Sequence, residues 1–369
     1  MRIMFFIPRM GSGGAERVIS ILANEFAKAG DTVQISQLIE SESFYPLSDS
    51  IILKGTNISI RRSNKIISYW DQARFFFKGI RLIKSEIRSF NPDVVICFMR
   101  QTCIMMWVAR IFGCKVNLIC SERNDPTKQN KLVRFVMKRV FKAADLLVCQ
   151  GKGVSDYFKN VVKKVVIPNP VVDRSYLYVS RENRRPVVTS VGRLDKQKNF
   201  ELLIESFVAA HNDCQDYSLE IYGEGPERPN LEHLINKLNA SDYISLPGSV
   251  KNVIERIADS SLFVMSSNYE GFPNALAEAM SVGLPVISTD FFTGAAKEMI
   301  GDNCGLTVPV GDLNSMTEAI KDCLLDPDKR ESMGRNALRI SDRYNKDKIV
   351  YMWRKAIEDA IAKGGCCNE

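Results

Sequence analysis

The sequence predicts an α/β protein of two doubly wound domains, each a parallel sheet covered by helices on both faces. Three observations carry this. Short, nearly continuous apolar strands alternate with amphipathic helical stretches along the chain, the pattern of sheets buried on both sides. The alternation runs as two series, broken at Pro168-Asn169-Pro170, where two prolines exclude a helix interior or a central strand. A length of 369 residues suits two domains of roughly 100–200 residues each.

In the first series Arg2–Pro8 reads as a buried strand and Ala15–Lys28 as the helix behind it. Thr32–Leu38, Val94–Phe98, Val116–Ser121, Leu146–Gln150 and Val165–Ile167 are further strands. The second series runs through Val187–Val191, Leu219–Tyr222, Leu262–Met265, Pro285–Thr289 and Leu306–Val308. The polar, Arg-rich Asp173–Pro186 between them reads as a linker. The expected organisation is therefore 1–170, 171–345, and a last helix with its tail, 346–369, packing back across the first domain. Doubly wound sheets bind ligands at the carboxyl ends of their strands, so two such domains face to face would enclose a cleft.

Hydrophobic residues are 45% and charged residues 25% of the chain, as in an ordinary globular protein. No apolar run reaches the ~18 residues a membrane span needs. The N-terminus reads as a strand and a Gly-rich turn, not a signal peptide, so a cytoplasmic location is expected. Cys97, Cys120 and Cys149 sit in apolar strands, as free thiols do in a reducing compartment. The adjacent Cys366-Cys367 lacks the spacing of a zinc site. Charge is unevenly placed: residues 1–170 hold 27 basic and 13 acidic side chains, and the remainder 23 and 30. A basic first half points to an anionic partner.

Three motifs sit where chemistry would be. Glu270-Gly271-Phe272-Pro273-Asn274-Ala275-Leu276-Ala277-Glu278 follows a strand and opens a helix. Pro273 suits a first turn, and the free amides there suit phosphate or sugar oxygens. Two carboxylates flanking a helix start can bind vicinal hydroxyls; taken alone, they also read as ordinary acids favoured by the helix dipole. Gly192-Arg193-Leu194-Asp195-Lys196-Gln197-Lys198-Asn199 follows another strand. Arg193 and Lys198 can converge on a diphosphate and stabilise it as a leaving group; alone, the loop also reads as a solvated basic turn. Met10-Gly11-Ser12-Gly13-Gly14-Ala15-Glu16-Arg17 joins the first strand to the first helix. Its glycines allow close approach of an anion or a tight turn, and it matches neither common nucleotide fingerprint.

Together these motifs resemble family 4 of the glycosyltransferases, retaining enzymes of the GT-B fold with two Rossmann-like domains facing across a cleft. The resemblance covers nearly the whole chain, through GSGGAERV, GRLDKQKN, IYGEGPE, LPGSV, NYEGFPNALAEAMSVGLPVIST and CGLTVPVGD in the family's order. It implies that Glu278 holds the donor ribose. Glu270 would contact the transferred sugar, and Arg193 and Lys198 the diphosphate. Gly271, Phe272 and the amides near Asn274, Ala275 and Leu276 would line the donor site. Gly13 and Gly14 would approach the diphosphate or acceptor, and Val250 would lie beside the base. No metal or other cofactor is implied, since Arg and Lys carry the charge and no Asp-x-Asp motif occurs. Many members place a histidine beside the transferred sugar, but the only histidines are His211 and His233, in the second domain. Ser121–Pro126 takes the matching strand end, so Arg123 and Asn124 are the candidates to stand in for the imidazole; Asp125 and Pro126 also read as the start of the next helix.

Arg74, Lys78, Arg81 and Arg88 share one helical face, opposite Phe76, Ile80, Ile83 and Ile87. Lys128–Lys142 has no acidic residue and repeats Arg134, Lys138 and Lys142 at helical spacing. These stripes suit an anionic membrane face, and in the family they accompany polyprenyl-diphosphate-linked acceptors. No nucleic-acid motif accompanies the charge. The expected enzyme moves a hexose or N-acetylhexosamine from a UDP-sugar in surface-glycan assembly at the inner membrane face. The rivals are a non-hydrolysing UDP-sugar 2-epimerase and a silent sugar-nucleotide-binding subunit.

Overall fold

The computed structural model describes residues 1–11, 13–55 and 69–365; Ser12, Cys366 and Cys367 lie outside them. Two compact units emerge. The first comprises Met1–Gln150, Val154–Pro168 and the chain from Asp347 onward; the second comprises Gly151–Gly153 and Asn169–Lys346.

The first unit carries β1 (Arg2–Ile7), β2 (Thr32–Gln37), β3 (Ile52–Gly55), β4 (Val94–Phe98), β5 (Asn117–Glu122), β6 (Leu146–Cys149) and β7 (Lys164–Val166). They form one parallel sheet in the order β3-β2-β1-β4-β5-β6-β7. Side chains alternate faces along each strand, and β1 shows the consequence. Ile3, Phe5 and Ile7 pack under the helices Gly14–Lys28 and Lys346–Gly365. Met4 and Phe6 pack under Tyr69–Phe90, Arg100–Ile111 and Lys131–Ala143. The last helix is thus part of the first unit's core. Its Trp353 is fully buried and stacks on Phe98 with ring centroids 5.8 Å apart. Truncating such a side chain costs about 3–5 kcal/mol.

The second unit carries β8 (Arg185–Val191), β9 (Ser218–Tyr222), β10 (Ile244–Gly248), β11 (Ser260–Met265), β12 (Val286–Thr289) and β13 (Gly305–Val308). Its order is β10-β9-β8-β11-β12-β13, again all parallel. Leu262 and Val264 face one core, Phe263 and Met265 the other.

The strands unread in the sequence, β3 and β10, are both sheet edges. Strand β3 is largely exposed and β10 contains Pro247, a residue tolerated in sheets only where no ladder donor is needed. Asp173–Pro186 is not a free linker: it docks on the second unit. Arg184 donates to the Ser260 carbonyl at 2.8 Å and the Gly283 carbonyl at 2.8 Å. Arg185 pairs with Asp259 at 2.9 Å and begins β8. Arg184 and Arg185 therefore serve to satisfy carbonyls and a carboxylate near the amino ends of the strands.

Candidate donor-sugar site

In each sheet the strand order reverses beside the first strand, and ligand sites of such sheets lie at that reversal. In the second unit the reversal falls between β8 and β11. The loops leaving these strands are the two that carry the predicted chemistry.

The loop after β8 is wound tightly. The Gly192 amide donates to the Tyr222 carbonyl at 2.9 Å. A Cβ at Gly192 would lie 2.8 Å from Lys198 Cε, and one at Gly223, where φ is +146°, would strike the Gly192 carbonyl. Glycine is required at both places because two backbones and a lysine stem share the space. Asp195 organises the turn. Its Oδ1 accepts the Gln197 amide at 3.1 Å and the Lys198 amide at 3.2 Å. Its Oδ2 accepts Arg193 Nε at 2.6 Å. The Arg193 side chain is otherwise 71% exposed, so its fork is aimed but not enclosed.

The loop after β11 places Glu270 under this turn. Lys198 Nζ donates to Glu270 Oε1 at 2.7 Å, and Ser267 Oγ donates to the same oxygen at 2.9 Å. Gln197 Nε2 donates to Glu270 Oε2 at 3.1 Å and to the Tyr269 carbonyl at 3.0 Å. Thr293 Oγ1 donates to the Glu270 carbonyl at 3.0 Å. The Lys198 and Glu270 side chains are 17% and 10% exposed. Removing one partner of so buried a pair strands the other charge, at a cost of about 3–5 kcal/mol. Glu270 is thereby held on all sides, and Lys198 is fixed as a point charge at the mouth of the strands.

Glu270 leads through Gly271 and the buried Phe272 into the helix Asn274–Ser281. Pro273 is the residue before the helix rather than its first residue, with ψ at 80°. The Asn274 amide donates to the Phe272 carbonyl at 3.0 Å. Asn274 Oδ1 accepts Asn169 Nδ2 at 2.8 Å, which sets its orientation. The amides of Ala275 and Leu276 lie in the first turn, where no intrahelical acceptor exists. Glu278 sits half-buried as the helix's fifth residue. Val250 follows β10 and is 37% exposed.

In the first unit, Gly13 caps the helix Gly14–Lys28 with extended backbone. The Glu16 carboxyl folds back over it, in the space a Cβ on Gly13 would need. Arg123 follows β5, and Asn124 donates its amide to Glu122 Oε1 at 3.2 Å. Asp125 caps only the short turn Pro126–Lys128; the longer helix starts at Lys131 under Asn130, whose Oδ1 accepts the Val133 amide at 2.8 Å. His211 and His233 stand on helices of the second unit, His211 stacked on Tyr243.

Roles for Asp195, Gln197, Ser267, Thr293 and Asn169 emerge only in the structure. Asp195 does carry a readable signal, an Asp two residues before the amide it accepts. Ser267 meets Glu270 within the same loop, three residues on, whereas Gln197, Thr293 and Asn169 meet Glu270 or Asn274 only through tertiary structure.

A model of "Glycosyltransferase Family 4" matches residues 12–174, and one of "Glycosyl transferases group 1" matches residues 179–339. The chain belongs to glycosyltransferase family 4. Among its relatives is an alpha-1,4-N-acetyl-D-galactosaminyltransferase of Campylobacter jejuni, named for a diphospho-undecaprenol-linked glycan substrate. It is 28% identical over 97% of this chain and 99% of its own length. The amylovoran biosynthesis glycosyltransferase of Erwinia amylovora is 25% identical over 93% and 95%. Among solved structures, Anabaena HepE in complex with UDP superposes with a TM-score of 0.76 at 16% identity, over 97% of this chain and 100% of that one. Sucrose-phosphate synthase of Thermosynechococcus elongatus gives 0.81 at 19% identity, over 98% and 100%. The fold is GT-B and the protein is a glycosyltransferase.

Proposed function

We propose that this glycosyltransferase moves a hexose or N-acetylhexosamine from a UDP-sugar to a lipid-diphosphate-linked glycan, with retention of anomeric configuration and without a metal. The observation that carries the reading is the Lys198–Glu270 pair, 2.7 Å apart at the reversal of the second sheet, with Arg193 beside it and Glu278 on the following helix. Arg193, Lys198 and the amides of Ala275 and Leu276 supply fixed positive charge to the departing diphosphate. Glu270 faces the transferred sugar and balances positive charge near its anomeric carbon. Glu278 binds the ribose hydroxyls, Gly271 and Phe272 line the donor site, and Val250 lies by the base. The departing phosphate itself accepts the acceptor's proton, so no histidine is required. Relatives named for lipid-diphosphate-linked glycans and a structural neighbour solved with UDP support this choice of donor and acceptor. A screen of UDP- and GDP-sugars for transfer, with the product anomer read by NMR, tests it. Turnover of GDP-sugars alone would replace the donor, and an inverted product would exclude retention.

A peripheral station on the inner face of the membrane completes the reading. No helix among the described residues is long and apolar enough to cross a membrane. Arg74, Lys78, Arg81 and Arg88 are exposed on Tyr69–Phe90, and Lys138 and Lys142 on Lys131–Ala143. Phe77, Leu132 and Phe135 are exposed on the same two helices, as on surfaces that enter a headgroup layer. Each basic residue near an anionic surface contributes about 1 kcal/mol. Reversing charge at Arg74, Lys78 and Arg81 should lower partitioning onto phosphatidylglycerol vesicles by about 100-fold; undiminished binding removes this helix from the membrane face.

A further inference from the structure

An arginine at the first position of a helix opposes the positive end of the helix dipole. Arg228 holds that position in the helix Arg228–Lys237 of the second unit, and no acid stands in the first turn to offset it. Its guanidinium is engaged on every nitrogen. Nε donates to Glu224 Oε2 at 2.9 Å and Nη2 to Glu224 Oε1 at 2.9 Å, a fork that fixes the plane of the group. Nη1 donates to Glu232 Oε1 at 2.8 Å. Nη2 also donates to the Leu246 carbonyl at 3.1 Å.

That carbonyl belongs to a weak point of the sheet. Leu246 lies in the edge strand β10, whose register against β9 shifts between Ser245 and Gly248. The next residue, Pro247, has no N–H to give. The chain then turns through Gly248 at φ +88° and Asn252 at φ +56°, which flank Ser249, Val250 and Lys251. The Gly248 carbonyl accepts the Gly223 amide at 2.9 Å. A Cβ on Gly248 would lie 3.0 Å from Glu224 Oε1 and 3.6 Å from Arg228 Nη2. The Glu224–Arg228 fork is therefore seated directly against this turn.

The same segment reaches the other side of the candidate site. The Leu194 amide donates to the Glu224 carbonyl at 3.0 Å, and the Glu227 amide donates to the Leu194 carbonyl at 3.0 Å. Gly223–Arg228 thus spans from the Arg193–Lys198 loop to the turn that carries Val250. The Arg228 side chain is 26% exposed and that of Glu224 55%, and ion pairs so exposed add little to stability. Stability alone does not account for a four-bonded arginine at a helix start; a fixed turn does.

We propose that Arg228, forked on Glu224, is a positioning residue that fixes the Leu246–Val250 turn and so sets which nucleotide base the enzyme accepts. The inference rests on the reading above that Val250 lies by the base. Bases differ in where their edges donate and accept, so a backbone turn tells them apart only while its own amides and carbonyls are held in place. Arg228 acts through the turn and not on the substrate.

Arg228→Gln and Glu224→Gln in the full-length chain are titrated by calorimetry with UDP, GDP and ribose 5-diphosphate, which keeps the ribose and both phosphates but lacks a base. Both side chains are partly exposed, so folding is expected to survive. In Arg228→Gln the affinity for the preferred nucleotide should fall about tenfold, as when hydrogen bonds are misplaced, and the ratio of UDP to GDP affinity should move toward unity. Affinity for ribose 5-diphosphate should stay within about twofold, as for a site that shares no partner with the substitution. Glu224→Gln, which loosens the fork, should act in the same direction by about threefold. An equal loss for the nucleotides and for ribose 5-diphosphate would make the effect one on the phosphate loop and overturn the proposal, as would no change with any ligand. A wild type that binds neither nucleotide would instead fail the functional reading. Amide hydrogen exchange of the unliganded chains still decides the positioning in that case. Exchange at Ser249, Val250 and Lys251 that is about tenfold faster in Arg228→Gln supports it, and unchanged exchange there overturns it.

Discussion

The carboxyl ends of the two sheets have the same topology and opposite polar economies. In the second unit the buried Glu270 is held by Lys198, Ser267 and Gln197, and the exposed Arg193 is aimed by Asp195. In the first unit the half-buried Arg123 and the buried Glu16 hold shielded polar atoms that meet no protein hydrogen-bond partner. A saturated network gives a rigid, preorganised electrostatic field, suited to stabilising a charged leaving group. An unsaturated one depends on what it binds.

The largest break in this contrast should come from Glu270. Glu270→Gln keeps the volume and several hydrogen bonds but removes the charge, so kcat should fall by about 10²–10³-fold, as when a transition-state electrostatic contact is removed. Stopped-assay kinetics with a folded variant checks this. Glu270→Ala is the poorer test, because it leaves Lys198 buried alone at a cost of about 3–5 kcal/mol, and a fall in activity would then include damage to the structure.

Next comes the first unit. The Glu122 carboxyl is raised from its ordinary value to about 7 by burial. The folded state therefore binds more protons than the unfolded one between about pH 4.5 and pH 7. Stability falls as pH rises through that window, by up to about 3 kcal/mol at 1.36 kcal/mol per unit. In Glu122→Gln this fall should shrink, and urea midpoints at pH 5 and pH 8 should draw together. An unchanged difference between them would place the titration elsewhere.

The smallest effect concerns Gln197, which touches Glu270 and the Tyr269 carbonyl. A hydrogen bond to a charged group contributes about 1.5–3 kcal/mol. Gln197→Ala should therefore lower kcat by about tenfold with little change in UDP affinity. A fall in UDP affinity with normal kcat would make Gln197 a nucleotide contact instead.

Most of the fold was legible because central strands buried on both faces write continuous apolar runs, as in Val94–Phe98 and Ser260–Met265. The edges were not, because Ile52–Gly55 is largely exposed and Ile244–Gly248 is interrupted by proline. The arginines of Asp173–Pro186 read as a linker because carbonyl acceptors on distant strands leave no trace in local sequence. The charged residues of the second unit were legible through their ordered motifs. Their supports were less so: Ser267 and Thr293 act on Glu270 through short polar contacts that any surface serine or threonine could mimic in sequence. Glu16 was hidden differently, since an acid in a first helical turn has an ordinary explanation. In the structure its carboxyl lies over Gly13 at that helix start, in keeping with this explanation.

The central claim is that the second unit holds the nucleotide, with Glu278 on its ribose. Calorimetric titration of UDP into the wild-type chain and into Glu278→Ala tests it most directly. The account predicts a loss of affinity of roughly 10- to 100-fold, the value of one or two hydrogen bonds to a carboxylate at about 1.5–3 kcal/mol each. Equal affinity in the two proteins would contradict it.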